Sequence, residues 1–233
     1  MRIRKATGPS AFSRILYLKK SEVDQMCLDA LRESGFLPNQ PGPINIESFI
    51  EKHFDCRLDF ATDMGEGVLG FSVFSPKGKP ELVGISPKLD EGTPVAERRI
   101  RATLAHEAGH CLIHPVLFLD DTEHAPLEGT NIDLTRRRIL CRDRDINASG
   151  KYDGRWWEFQ ANCAIGGFLL PKKLVATAVS AYLMPIGALG LQALHNSLRQ
   201  KAISTVVDVF EVNQAVARIR LGEMYPESDQ LEL

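Results

Sequence analysis

The period of the hydrophobic positions changes along the chain, and each change marks an element. In SEVDQMCLDALRESG (21–35), Val23, Met26, Cys27, Ala30 and Leu31 fall on one face of a helix. Ser21 is its candidate N-cap, and Gly35 ends it. LPNQPGP (37–43) carries three prolines and reads as a linker or sharp turn. INIESFIEKHF then repeats Ile46, Phe49, Ile50 and Phe54, which predicts a short helix. CRLDFA alternates, with Cys56, Leu58 and Phe60 on one side, as a half-buried strand does. VLGFSVFS and ELVGISP are two further apolar runs joined by PKGKP, the pattern of a β-hairpin. A small, largely antiparallel sheet is therefore expected before residue 93.

From Thr93 the helical period returns. Thr93 can cap, Pro94 suits a first helical position, and Pro115 stops the helix. Ile100, Leu104, Ala108, Cys111 and Leu112 supply its packing face. Residues 116–157 lack a clear period and centre on TRRRILCRDRD, so a long, partly ordered insertion is expected, with its arginines in a solvated loop. RWWEFQANCAIGGFLLP is helical up to Pro171. Leu174 to Leu194 carries no charge and is long enough to span a membrane. Pro185, Gly187 and Gly190 interrupt it, and two buried helices broken at MPIGALG are the preferred reading. KAISTVVDVFEVNQAVARIRL predicts two short helices with Asn213 capping the second. That form resembles a helix-turn-helix. Packing is its ordinary role, and DNA contact, through Arg218 and Arg220, is the lesser reading. The elements together predict an α+β fold: a helical extension (1–43), a main domain (44–172) with an insertion at 116–157, and a helical C-terminal region (173–233).

Composition changes little in this picture. The chain has 233 residues, 44% hydrophobic and 25% charged, with a net charge of −2, so bulk charge does not point to nucleic acid. The charges are unevenly placed. Arg2, Arg4, Lys5, Arg14, Lys19 and Lys20 precede the first acid, Glu22, and only acids follow Arg220. Such ends are ordinarily solvated, and a partner-binding arm is the sharper alternative. The five cysteines form no CxxC pair, which points to a reducing compartment, the cytoplasm, and to ordinary thiols at Cys141 and Cys163. No secretory signal is visible.

The chemistry concentrates in LAHEAGHCLIH (104–114). A four-residue spacing sets His106 and His110 about 40° apart around a helix, with Cβ atoms roughly 5–6 Å apart. Two imidazoles at that reach can bind one zinc ion, leaving Glu107 to take a proton from a water on the metal. His114 drifts about 80° from His106 over two turns and reads as a bystander. The third ligand is open on spacing alone. Glu158, 48 residues beyond His110, begins ExxAN on a helix and is favoured; His124, in the loop after the histidine helix, is the alternative. Ala161 would let the two helices approach, and Asn162 could orient a histidine from its far nitrogen. Tyr152, Arg155 and His124 are candidate oxyanion donors.

TLAHEAGHCLIH followed by EFQANCAIGGFLLP resembles the ImmA/IrrE-type metallopeptidases over about residues 44 to 172. Their second helix has the form ExxAN-x-F-A and ends in leucine–leucine–methionine–proline. Leu169, Leu170 and Pro171 match that ending without the methionine, Ile165 stands where phenylalanine is usual, and the gap from His110 to Glu158 is long for the family. The resemblance implies a gluzincin-like fold with the sheet packed on the histidine helix. It implies zinc held by His106, His110 and Glu158, with Glu107 as catalytic base. It also implies a protein substrate, a repressor-type regulator encoded nearby. A regulatory binding module that keeps the zinc fold without proteolysis is the competing expectation, and a DNA-binding regulator with a structural metal is a weaker one.

Overall fold

The computed structural model describes residues 2–5, 12, 14–119, 132–133, 137–142, 154–186 and 190–226. In chain order they form strands β1 (Arg2–Lys5) and β2 (Arg14–Tyr17), helices α1 (Lys20–Glu33) and α2 (Ile46–Phe54), and strands β3 (Arg57–Asp59), β4 (Val68–Phe74) and β5 (Pro80–Ile85). Helix α3 (Pro94–Ile113), strands β6 (Ile132–Asp133) and β7 (Arg138–Arg142), and helices α4 (Trp156–Leu169) and α5 (Lys172–Ala178) follow. Strands β8 (Leu183–Ile186) and β9 (Leu191–Leu194) and helices α6 (Asn196–Phe210) and α7 (Gln214–Met224) complete the order. The fold is α+β.

The main sheet has the order β3-β5-β4-β7-β6. β3 runs parallel to β5, and the other neighbours are antiparallel. The hairpin of β4 and β5 stands where PKGKP places it. β7 was not foreseen. It comes from the arginine-rich stretch expected to be a solvated loop, and it pairs with β4 inside the sheet. Its residues alternate, with Ile139 and Cys141 buried, so the strand period was present beneath the charges. Arg138 lies in this strand with its guanidinium 5.5 Å from the centre of the Phe71 ring. β3 is shorter than CRLDFA suggests. Asp59 accepts hydrogen bonds from the backbone of Ala61 and Thr62, which turns the chain and leaves Phe60 exposed.

Leu174 to Leu194 is also corrected. After α5 the chain forms the hairpin β8–β9 instead of a second buried helix. Pro185 cannot donate to a helix or to an inner strand, and Gly190 adopts φ +63° at the turn. Met184 and Leu191 are exposed. No helix among the described residues is long and apolar enough to cross a membrane. α1 starts one residue before its expected cap. The Lys19 N–H donates to Glu22 Oε2 (2.8 Å), so Ser21 lies inside the first turn.

α1, α2, α3, α4, α6 and α7 share one core, to which they contribute Cys27 and Leu31, Phe49 and Ile50, Leu104 and Ala108, Phe168, Phe210, and Leu221. Arg220 is drawn into it: Nε donates to the Leu170 carbonyl (2.8 Å) and Nη1 to Asp24 (2.8 Å). It therefore does not face a phosphate, which corrects one of the two DNA-contact residues; Arg218 is exposed. Asn213 caps α7 as expected, accepting from the Val216 N–H (2.9 Å).

The seam that matters most is α3 against α4. A Cβ at Gly109 would lie 2.7 Å from the Ala164 Cβ and 3.1 Å from the Ala161 Cα. Small residues on both sides let the two backbones meet. Gly109→Ala is therefore expected to wedge the helices apart at a cost of about 1–3 kcal/mol, read as a lowered midpoint in denaturant unfolding.

Candidate metal centre

Thr93 starts the histidine helix, accepting from the Ala96 N–H at 3.1 Å, with Pro94 at the first position. The cap fixes the helical phase from its first turn. His106 and His110 then lie one turn apart, facing α4. Their Nε2 atoms are 3.0 Å apart. Glu158, in the first turn of α4, reaches into the same point: Oε2 lies 3.2 Å from His106 Nε2 and Oε1 3.7 Å from His110 Nε2. Both histidines are fully buried and Glu158 is 3% exposed. One ligand atom from each of the three lies within 4.8 Å of the others, so the group could hold a metal ion.

The donors suit such an ion. Asn162 Oδ1 is 3.1 Å from His106 Nδ1 and, being an oxygen, accepts its proton. That leaves the His106 Nε2 lone pair directed at Glu158 and His110. Two imidazole nitrogens 3.0 Å apart repel if both are bare, and a metal ion or a proton between them removes the repulsion. Burial favours neutral His106, but the hydrogen bond and charge of Glu158 outweigh it and carry the pKa above 6.5. Burial likewise opposes the Glu158 charge, and His110 and His106 overcome it, holding the carboxyl well below 4.5.

Glu107 is buried on the neighbouring face, toward the sheet. Ser72 on β4 donates its hydroxyl hydrogen to Glu107 Oε2 (2.5 Å). Glu107 also belongs to a second potential metal group, with His106 and Cys141. The sequence neighbours of Cys141 offer no ligand spacing and point to an ordinary thiol; β7 brings it to the site across the sheet. Cys163 is partly buried on α4, and all five thiols are free.

His114 lies outside both groups that could hold a metal, but it touches a member of one. It is fully buried, its Nδ1 is 2.9 Å from His110 Nδ1, and its Nε2 is 3.1 Å from Gln160 Oε1. Burial, reinforced by the nearby His110, holds its pKa well below 6.5. Ser72, Gln160 and Cys141 are the site residues that sequence reasoning missed. A hydroxyl inside the apolar run VLGFSVFS and a glutamine inside ExxAN were the available signals. Arg155 takes the N-cap position of α4. His124 and Tyr152 lie outside the described residues, so Glu158 is the one candidate third ligand that can be placed. No family model matches the chain, and no curated protein matches it.

Proposed function

We propose that the chain is a zinc-dependent endopeptidase of the ImmA/IrrE type, with a gluzincin-like arrangement of its metal helix and glutamate helix. The observation that carries this reading is the meeting of His106, His110 and Glu158 at one buried point, with Glu107 beside the first ligand. Two imidazoles and one carboxylate are a donor set of catalytic zinc sites. Zinc bound there supplies Lewis acidity, which makes water a stronger acid and a carbonyl a better electrophile. Glu107 holds the proton lost by the attacking water on its carboxylate and returns it to the departing amine. Ser72 fixes the orientation of that carboxylate. Asn162 fixes the ring of His106. The substrate is a specific regulatory protein of the repressor type, and the enzyme works in the cytoplasm, where its five thiols stay reduced.

The test is incubation of the purified chain with a repressor-type regulator encoded nearby. Cleavage that stops with chelator and returns with zinc is the expected result. Failure to take up zinc under any loading condition would end the reading. Acid is expected to strip the metal, because each ligating imidazole must be free of its proton at Nε2. Glu158 raises the pKa of His106, so the proton begins to compete at a higher pH than for an ordinary histidine. Metal content after dialysis across a pH series reads this directly.

A second reading rests on burial. His106, Glu107 and His110 have no exposed surface, as in closed structural sites. A regulatory module that binds its partner without cutting it would give a stable, zinc-dependent complex and no cleavage in the same experiment.

A further inference from the structure

A line of hydrogen bonds runs from strand β2 to the metal centre, and only one assignment of its protons is consistent. The fixed end is the Leu16 carbonyl, which can only accept. Gln160 Nε2 donates to it at 2.8 Å. The other atom of that amide, Oε1, then faces His114 Nε2 at 3.1 Å. An oxygen only accepts, so the proton of His114 is on Nε2 and its Nδ1 is a bare acceptor. His114 Nδ1 faces His110 Nδ1 at 2.9 Å, so His110 must donate there. Its Nδ1 therefore carries a proton, and Nε2, the atom that faces His106 and Glu158, is the nitrogen left for a metal. The chain Gln160–His114–His110 is buried throughout, which keeps water from substituting for its members.

We propose that His114 and Gln160 are positioning residues that lock His110 in the one tautomer able to bind metal through Nε2, with the backbone of β2 as the anchor. The proposal rests on the metal-centre reading above. It gives the N-terminal arm a part in metal binding. Phe12 and Leu16 seat that arm in an aromatic cluster with Phe118, Trp156 and Trp157, and the Trp156 ring lies 5.8 Å from that of His114. The anchor is a main-chain carbonyl, so it depends on where β2 sits and not on which side chain stands at position 16. The third histidine of the helix thus acts through the second, without touching the metal.

Histidine ¹⁵N NMR on the full chain, metal-free and zinc-loaded, reads the tautomers, and competition with a zinc chelator reads affinity. The proton of His114 is expected on Nε2 in both forms. His114→Phe and Gln160→Leu are each expected to weaken zinc binding about 10–100-fold, the usual effect of losing an outer partner of a ligand. His114→Asn, which can return an acceptor to the Nδ1 position, is expected to recover most of that loss. A proton on His114 Nδ1 in the wild type, or wild-type zinc affinity in both His114→Phe and Gln160→Leu, overturns the proposal. The NMR arm needs no variant and decides the matter even if the substitutions fail to fold. A wild-type chain that binds no zinc sinks the metal-centre reading and this proposal with it. Tight wild-type binding with unchanged variants sinks the relay alone.

Discussion

Glu107→Gln is expected to keep its zinc and lose hydrolysis. Glutamine matches glutamate in shape, and its amide can still meet the Ser72 hydroxyl that now donates to Glu107 Oε2. The substitution removes the site's ability to take up a proton at neutral pH. General-base groups contribute typically about 10²–10⁴ in rate, so turnover should fall by at least about two orders of magnitude. Zinc content of the purified variant should stay at the wild-type level, because His106, His110 and Glu158 meet without the help of Glu107. The paired measurement also separates two roles. Glu107 forms a second potential metal group with His106 and Cys141. If that group holds the ion, Glu107→Gln loses metal as well as activity, and the assignment of Glu107 as base fails.

The parts of this site that were legible in the sequence are local. His106, Glu107 and His110 share one helix, and a helix converts spacing into direction with little help from the rest of the fold. Thr93 and Pro94 marked its start for the same reason. Glu158 is favoured because it begins ExxAN near the start of a second helix. Its meeting with the histidines depends on the fit of Gly109 against Ala161 and Ala164, of which the sequence offered only the small side chains. What was missed depends on distance in the chain. Cys141 arrives through a strand whose alternation was masked by Arg138 and Arg142. Ser72 reaches Glu107 from the sheet, 35 residues away. Gln160 owes its role to Leu16, 144 residues away. Leu174 to Leu194 failed differently. An uncharged run has no period to read, and its Pro and Gly residues fit a hairpin as well as a helix break.

Glu158→Gln is expected to have the larger effect on metal. It removes the only carboxylate of the His106, His110 and Glu158 group. Loss of an outer partner alone costs about 10–100-fold in affinity, so loss of the charged ligand should weaken zinc binding on the order of 100-fold or more. The same substitution should change how the metal-free protein responds to pH. Glu158 has a folded pKa below 4.5, so its share of stability is present above 4.5 and lost as pH falls through the folded value. His106 has a folded pKa above 6.5, so its share is present below 6.5 and lost as pH rises through the folded value. The pair therefore stabilises the metal-free wild type most between 4.5 and 6.5 and less on either side. His114, held below 6.5 chiefly by burial, adds a loss of stability in acid, which Glu158 partly offsets by favouring the charged imidazole. The difference between wild type and Glu158→Gln in denaturant midpoint, followed from acid to mildly alkaline pH, reads what the Glu158 charge contributes beside its histidines. It should peak in that window without zinc. With zinc it should keep growing above the window, because the metal then takes the place of the proton between the two imidazoles. A difference that is flat across the series, or one that zinc leaves unchanged, would mean that Glu158 neither pairs with His106 nor binds the ion.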